Sequence, residues 1–147
     1  MEQIILTGRS LTAEQFYRVV FDKAQVSISP DAKQKLQDSR QLLFDLAESG
    51  VSIYGLNTGV GWNKDATVSA AQYADYNRKL ILSHCAGLPP FARETEVRAA
   101  LLARLNIFLL GATGISPEIP AFYAELLNHQ IHPLIPEQGS VGQGTWG

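Results

Sequence analysis

The feature that most constrains the fold of this chain is a long run of strong helix formers, ETEVRAALLARLNIFLL, at residues 94–110. Alanine, leucine and arginine are among the best helix-forming residues, and Gly111 supplies a typical helix end. The run is apolar over much of a helical circumference, so a helix of this kind lies deep in a core or an interface. The segment therefore predicts a protein organised around helices.

Four other helices are predicted by paired start and stop signals. A capping residue followed three positions later by glutamine, or a serine followed by proline and an acid, marks each N-terminus. The last of these helices has Phe122, Leu126 and Leu127 as its expected buried face. The helix starts are Thr12, Ser29, Ser69 and Ser116, and the expected ends lie near Lys23, Gly50, Cys85 and His129.

Extended structure is predicted to be a minor component. Residues 3–6 are β-prone and are stopped by Gly8, and residues 51–54 form another short alternating stretch. The tail at residues 137–147 is rich in glycine and predicts a loop. We therefore expect a mainly α fold with one or two very short β-strands.

Composition excludes several classes of function. The chain has 147 residues, which fits one domain, and a net charge of −2 with no long block of like charge, which argues against a nucleic-acid partner. Glu2 stands where a signal peptide carries a basic residue, and no apolar run reaches the ~18 residues of a membrane helix, which argues against a membrane partner. Cys85 has no cysteine partner, so we expect a small buried thiol and a cytoplasmic location.

Two glycine-rich loops, at residues 55–61 and 139–142, are the places where the sequence suggests chemistry. Glycine-rich turns can bind phosphate through backbone N–H groups, but Gly59-Val60-Gly61 lacks the later glycine of a dinucleotide site, and no Gly-Lys-Ser/Thr occurs. His129 and His132 have no Glu or Cys at metal-ligand spacing, so we assign both to structure and expect no metal site.

Three segments resemble motifs of the histidine and aromatic amino-acid ammonia-lyases. Residues 54–61, YGLNTGVG, are similar to the tyrosine loop of that family, Y-G-V-N-T-G-F-G. Residues 80–87, LILSHCAG, resemble the L-x-L-S-H-x-x-G segment of the histidine-specific branch. Residues 131–142, IHPLIPEQGSVG, resemble the approach to the family's electrophile. The order and spacing agree, so residues 1–147 look like the N-terminal segment of an ammonia-lyase-like domain, incomplete relative to the family.

The resemblance implies roles for individual residues. Tyr54 matches the general base that takes a proton from the carbon beside the departing ammonium, and an ordinary tyrosine would need nearby positive charge or donors for that work. His84 matches the position near the imidazole of a histidine substrate, with Ser83 beside it. The residues of the loop itself are Gly55, Asn57, Thr58, Gly59 and Gly61, and those of the electrophile approach are Gly139, Ser140, Val141 and Gly142.

A structural alternative stands beside each of these roles. Tyr54 can be a packed tyrosine at a strand end, and His84 can be a capping or core residue. Asn57 and Thr58 either orient substrate or brace the loop by side-chain to backbone hydrogen bonds, and bracing is the role that we favour. The glycines allow the loop to bend over a substrate as a lid.

The chain departs from the family where the electrophile forms. Family members cyclise an Ala-Ser-Gly sequence into a methylidene-imidazolone group, and the matching residues here are Gln143, Gly144 and Thr145. Gly144 has neither the β-carbon nor the hydroxyl that become the methylidene. We therefore expect that this chain forms no such cofactor.

The resemblance implies a function for complete relatives and leaves two possibilities for this chain. Complete relatives eliminate ammonia from L-histidine to give urocanate, or from an aromatic amino acid to give a cinnamate, and we expect this chain alone to be inactive. It is either a truncated or split lyase, or a stand-alone descendant acting as an interaction or regulatory module. In both cases the helix at residues 94–110 would lose partners, so its apolar stripe predicts self-association or contact with other lyase subunits.

Overall fold

The computed structural model describes residues 3–139 and is mainly helical, as the sequence predicts. These residues form five α-helices and four short strands, more strands than the one or two expected. Two single 3-10 turns lie at Gly61–Asn63 and Ala70–Gln72. In chain order the elements are β1 Ile4–Leu6, α1 Ala13–Val20, β2 Val26–Ile28, α2 Pro30–Glu48, α3 Tyr73–His84, β3 Leu88–Phe91, α4 Glu94–Phe108, α5 Glu118–Asn128 and β4 Pro136–Gln138.

The predicted caps at Thr12 and Ser29 form the hydrogen bonds that their spacing requires, whereas α5 begins at Glu118 without a side-chain cap from Ser116. The Thr12 hydroxyl accepts from the Gln15 N–H at 3.2 Å, and the Gln15 side chain accepts from the Thr12 N–H at 3.1 Å. The Ser29 hydroxyl accepts from the Ala32 N–H at 3.2 Å and begins α2. Helix α1 stops at Val20, before the expected end at Lys23, whose φ of 58° is incompatible with a helix.

The strands form two small sheets, and two expectations about them are wrong. Strands β1 and β2 pair in parallel, with α1 as the crossover between them. Strand β3 pairs antiparallel with β4, which begins at Pro136 and continues into the tail that the sequence predicts as a loop. The alternating stretch at residues 51–54 is not a strand, because the Ile53 carbonyl accepts from the N–H groups of Leu56 and Asn57 and closes a turn.

The described residues divide into two compact units. Unit 1 contains residues 3–43 and 92–135, and unit 2 contains residues 44–91 and 136–139. In unit 1, helix α4 is central, since its apolar face packs against α1 and α5. The expectation that this face would be exposed is wrong, although Ile107 and Leu110 at its end do face solvent. The buried apolar side chains of unit 1 are Ile4, Leu6, Val19, Val20, Val26, Ala32, Leu36, Val97, Leu101, Leu102, Leu105, Leu109, Ala124 and Leu127.

One charged side chain lies at the centre of unit 1. Arg98 on α4 is fully buried, and its guanidinium donates to the carbonyls of Val19 and Val20 at the end of α1 and of Leu127 near the end of α5. The last carbonyls of a helix have no partner within the helix. Arg98 therefore satisfies the ends of two helices at once. The sequence predicts the apolar side of α4 but gives no sign of this role.

Two other side-chain placements differ from the sequence expectation. Phe122 is 60% exposed, because α5 turns Pro120 and Ala124 inward, whereas Leu127 is buried as predicted and Leu126 is partly buried. Cys85 is exposed rather than buried, and its thiol donates to the Ile81 carbonyl. Phe122 lies on the side of α5 that faces away from the core, and Cys85 follows a helix that buries none of its residues.

Unit 2 has little apolar interior within the described residues. Val68 is its one buried apolar side chain, and no residue of α3 is buried. Large apolar side chains that face solvent in this unit include Trp62, Ile81, Leu82 and Leu88. Among the described residues of both units, no helix is long and apolar enough to cross a membrane.

Candidate functional site

The glycine-rich loop that follows Tyr54 is closed on itself by backbone hydrogen bonds. The Gly59 N–H donates to the Ala66 carbonyl at 2.8 Å, and the Val68 N–H donates to the Asn57 carbonyl at 2.9 Å. An isolated β-bridge between Thr58 and Thr67 lies between these bonds. The loop at residues 54–68 is thus a defined turn whose two arms pair.

Tyr54 begins this loop with its side chain in solvent. The ring is 66% exposed, so the alternative of a tyrosine packed at a strand end is wrong. The phenolic oxygen accepts a hydrogen bond from the Gly61 N–H at 2.8 Å. Gly61 therefore supplies one of the donors that a tyrosine acting as a base requires, and it is a backbone group that the sequence motif does not identify.

Asn57 braces the loop through both ends of its amide. Its oxygen accepts from the Ile53 N–H at 2.7 Å, and its nitrogen donates to the Val51 carbonyl at 2.8 Å. The Thr58 hydroxyl accepts from the Gly55 N–H at 3.3 Å and lies 3.0 Å from the Gly59 carbonyl. These bonds are the bracing contacts that we favour from the sequence, and the role of Asn57 toward a substrate stays a prediction.

Two glycines of the loop occupy positions that a larger residue would disturb. A β-carbon at Gly59 would lie 2.2 Å from the Asn63 carbonyl oxygen, so the backbone there has no room for a side chain. Gly61 has open space around it but a φ of +59°, which L-residues adopt at a cost. The first glycine allows the loop to close, and the second turns its N–H toward Tyr54.

Ser83 and His84 lie at the end of α3 and share one acceptor, the Leu80 carbonyl. The Ser83 hydroxyl donates to it at 2.7 Å, and the His84 Nδ1 lies 2.7 Å from the same oxygen. A carbonyl oxygen only accepts, so Nδ1 carries a proton, and in the neutral ring Nε2 is then an acceptor. The His84 side chain is exposed, so it is not a core residue.

Unit 2 contains both Tyr54 and His84, together with Gly139, which is exposed just after β4. The other residues of the electrophile approach, Ser140, Val141 and Gly142, lie outside the described residues, as do Gln143, Gly144 and Thr145. Within residues 3–139, no three His, Cys, Asp or Glu side chains are grouped as metal ligands would be.

An open groove of about 570 Å³ also lies in unit 2. Among its lining residues are Phe44, Asn57, Val68 and Tyr73, and Glu48 is the charged one. Neither Tyr54 nor His84 lines it. The groove is therefore separate from the two residues that the sequence motifs identify.

Comparison with known proteins identifies a family. Residues 11–145 match the family described as aromatic amino acid lyase. A histidine ammonia-lyase of Treponema denticola is 37% identical over 142 residues, which cover 97% of this chain and 28% of that protein.

Solved structures give the same result. The ergothioneine-degrading enzyme ergothionase of Treponema denticola, solved with desmethyl-ergothioneine sulfonic acid, matches with a TM-score of 0.92 and 48% identity over 97% of this chain and 29% of the enzyme. The tyrosine aminomutase of Streptomyces globisporus matches with a TM-score of 0.88 and 34% identity over 95% of this chain and 26% of the aminomutase. This chain thus spans less than a third of the length of the proteins it matches.

Proposed function

Because this chain belongs to the aromatic amino acid lyase family, we propose that it carries the proton-abstracting and substrate-facing part of a histidine ammonia-lyase-like site. Tyr54 is the base and His84 faces the ring of the substrate. We propose that the 147 residues by themselves are inactive. The chain forms no methylidene-imidazolone group, because Gly144 lacks the β-carbon that the group requires.

The observation that carries this proposal is the hydrogen bond from Gly61 to the exposed phenolic oxygen of Tyr54. A base must reach the proton that it removes, and two-thirds exposure leaves the ring accessible. The Gly61 N–H is a fixed hydrogen-bond donor to the phenolic oxygen and so orients the ring. The braced loop holds the Gly61 N–H within hydrogen-bond distance of the Tyr54 oxygen.

His84 supports an imidazole-bearing substrate. With Nδ1 committed to the Leu80 carbonyl, the neutral ring presents Nε2 as an acceptor. An imidazole N–H of the substrate would complement it, whereas a phenyl ring offers no donor. The matches to a histidine ammonia-lyase and to an ergothionase favour the same class, since L-histidine and ergothioneine both contain an imidazole ring.

A chimera tests the proposal in a complete protein. Residues 3–139 of this chain replace the matched segment of the Treponema denticola histidine ammonia-lyase, and absorbance of urocanate is followed with L-histidine as substrate. We expect turnover that Tyr54→Phe reduces by at least about a hundredfold, the lower end of general-base contributions. His129→Gln, which alters an exposed residue paired with Glu125, is the matched control and retains turnover.

Two further arms of the experiment separate the alternatives. In the first, ergothioneine replaces L-histidine and the loss of substrate is measured. This arm shows which of the two imidazole compounds the chimera converts. Equal turnover by the parent chimera and the Tyr54→Phe chimera, both folded by circular dichroism, would exclude Tyr54 as the base. The unmodified 147-residue chain is expected to produce no urocanate, and Tyr54-dependent production would overturn the proposed inactivity.

A second candidate function is an interaction module that pairs with itself or with lyase subunits. The observation that favours it is helix α3, which buries none of its residues and exposes Ile81 and Leu82. A stable homodimer or a defined complex with a lyase in light scattering would support this role. A cooperatively folded monomer that binds no lyase subunit would exclude it. A cytoplasmic location stays part of either proposal.

A further inference from the structure

Arg98 and His132 are joined by a partly buried hydrogen bond that has no role in the proposed function. The Arg98 Nη1 lies 3.2 Å from the His132 Nε2, and the His132 side chain is 15% exposed. A guanidinium only donates, so Nε2 must be unprotonated and accept. The bond links the N-terminal half of α4 to the segment at residues 129–135 that follows α5.

The two partners are held with unequal strength. Arg98 is fixed by three further bonds, at 2.6 Å to Val19, 3.2 Å to Val20 and 3.1 Å to Leu127. His132 lies between two backbone hydrogen bonds, from the Ile131 N–H to the Leu126 carbonyl and from the Ala92 N–H to the Ile135 carbonyl. No other side-chain hydrogen bond within the described residues involves its ring. If their mutual bond is lost, His132 moves and Arg98 stays.

We propose that Arg98 and His132 form a pH-sensitive latch that holds residues 132–134 against α4 when His132 is neutral and releases them when it is protonated. Protonation places an N–H on Nε2, so that two donors face each other and two positive charges lie about 3 Å apart. The hydrogen bond is then lost and the segment opens. This device is independent of the proposed lyase function.

The charged groups around His132 act in opposite directions. Burial is the main effect and lowers the pKa of His132 from its ordinary 6.5. Glu94, whose carboxylate lies 3.9 Å from Nδ1, raises it, and Arg98 and Lys23 lower it. Lys23 also pairs with Glu94 at 3.4 Å and so offsets part of the carboxylate's effect. The net result is a neutral ring that closes the latch near neutral pH.

The sign of the pH effect follows from the lowered pKa. The unfolded chain binds the proton at a higher pH than the folded chain does. The contribution of His132 to the free energy of unfolding therefore has its full value at pH values above the pKa of the unfolded chain. It decreases as the pH falls from there through the folded pKa. Each unit by which folding lowers the pKa corresponds to a tenfold change in the unfolding equilibrium constant.

Nuclear magnetic resonance of the full chain tests the latch directly. The ring proton of His132 is assigned by its absence in His132→Gln and titrated in the folded chain and in urea. We expect a lower midpoint in the folded chain, and the amide signals of His132 and Leu134 should change with the same midpoint. An equal or higher folded midpoint, or amide signals that do not follow it, would overturn the proposal.

Three variants separate the latch from general effects of acid. His132→Gln keeps an acceptor but does not titrate. The part of the pH dependence that His132 contributes to the unfolding equilibrium constant, as the pH falls below about 6.5, should therefore be lost. His129→Gln is the matched control and should retain that dependence. Glu94→Gln removes the carboxylate that supports the protonated ring, so the His132 midpoint should fall further. A rise in that midpoint would contradict the arrangement of charges.

Discussion

The phenolic oxygen of Tyr54 lies 2.8 Å from the backbone nitrogen of Gly61, whose N–H donates to it. The intervening chain returns to Tyr54 because Gly59 pairs with Ala66 at 2.8 Å, which closes the loop. The position of the candidate base relative to its donor therefore depends on the conformation of the whole loop. Loss of a bracing contact several residues away should alter the surroundings of Tyr54.

Tyr54→Phe should leave the fold nearly unchanged. The hydroxyl is exposed, so water can replace it at the Gly61 N–H, and the free energy of unfolding should fall by less than about 1 kcal/mol. Urea denaturation followed by circular dichroism measures this change. A much larger loss would mean that the hydroxyl supports the fold rather than a reaction.

Gly59→Ala should disrupt the loop more than Gly61→Ala does. The added methyl at residue 59 would meet the Asn63 carbonyl at 2.2 Å, so the loop must open there. At residue 61 the methyl meets nothing, and the left-handed conformation costs about 1–2 kcal/mol. Amide spectra should show shifted signals across residues 54–68 in Gly59→Ala, with smaller and more local shifts in Gly61→Ala. Similar spectra for the two variants would contradict the close approach.

Arg98→Met should destabilise unit 1 by about 3 kcal/mol or more. It leaves the Val19 and Val20 carbonyls without their donor, and each such loss costs about 1–3 kcal/mol, whereas the Leu127 carbonyl keeps the Gln130 N–H. Burial already lowers the pKa of Arg98, yet a guanidinium stays charged at all accessible pH values. Arg104→Met is the control on the same helix, because Arg104 lies 5.7 Å over the Phe108 ring, a contact worth about 0.5–1 kcal/mol. Equal urea midpoints for the two variants would exclude the bonding role of Arg98.

Asn57→Asp should loosen the loop although it changes one atom of the side chain. The carboxylate still accepts from the Ile53 N–H, but it cannot donate to the Val51 carbonyl and repels it. We expect faster amide hydrogen exchange at Ile53 and Val68. Asn77→Asp is the control, since Asn77 donates to the Tyr73 carbonyl on the exposed face of α3. Unchanged exchange at Ile53 in Asn57→Asp would contradict the bracing role.

The sequence by itself determined the helical class, the helix starts and the family resemblance. The bonds at Thr12, Ser29 and Ser69 join atoms within three residues of each other, so a local pattern specifies them. The tyrosine loop is similarly local, since Asn57 bonds to residues at most six positions away. Hydrogen bonds over such short separations can be predicted from the order of residue types.

Tertiary structure alone decided which groups meet across long separations. Strand β4 exists because β3 offers it a partner far earlier in the chain, and Arg98 is buried because the ends of α1 and α5 converge on it. Phe122 faces solvent because packing against α4 selects the opposite side of α5. The free energy of such contacts depends on residues that are distant in sequence, so it cannot be predicted from a local sequence pattern.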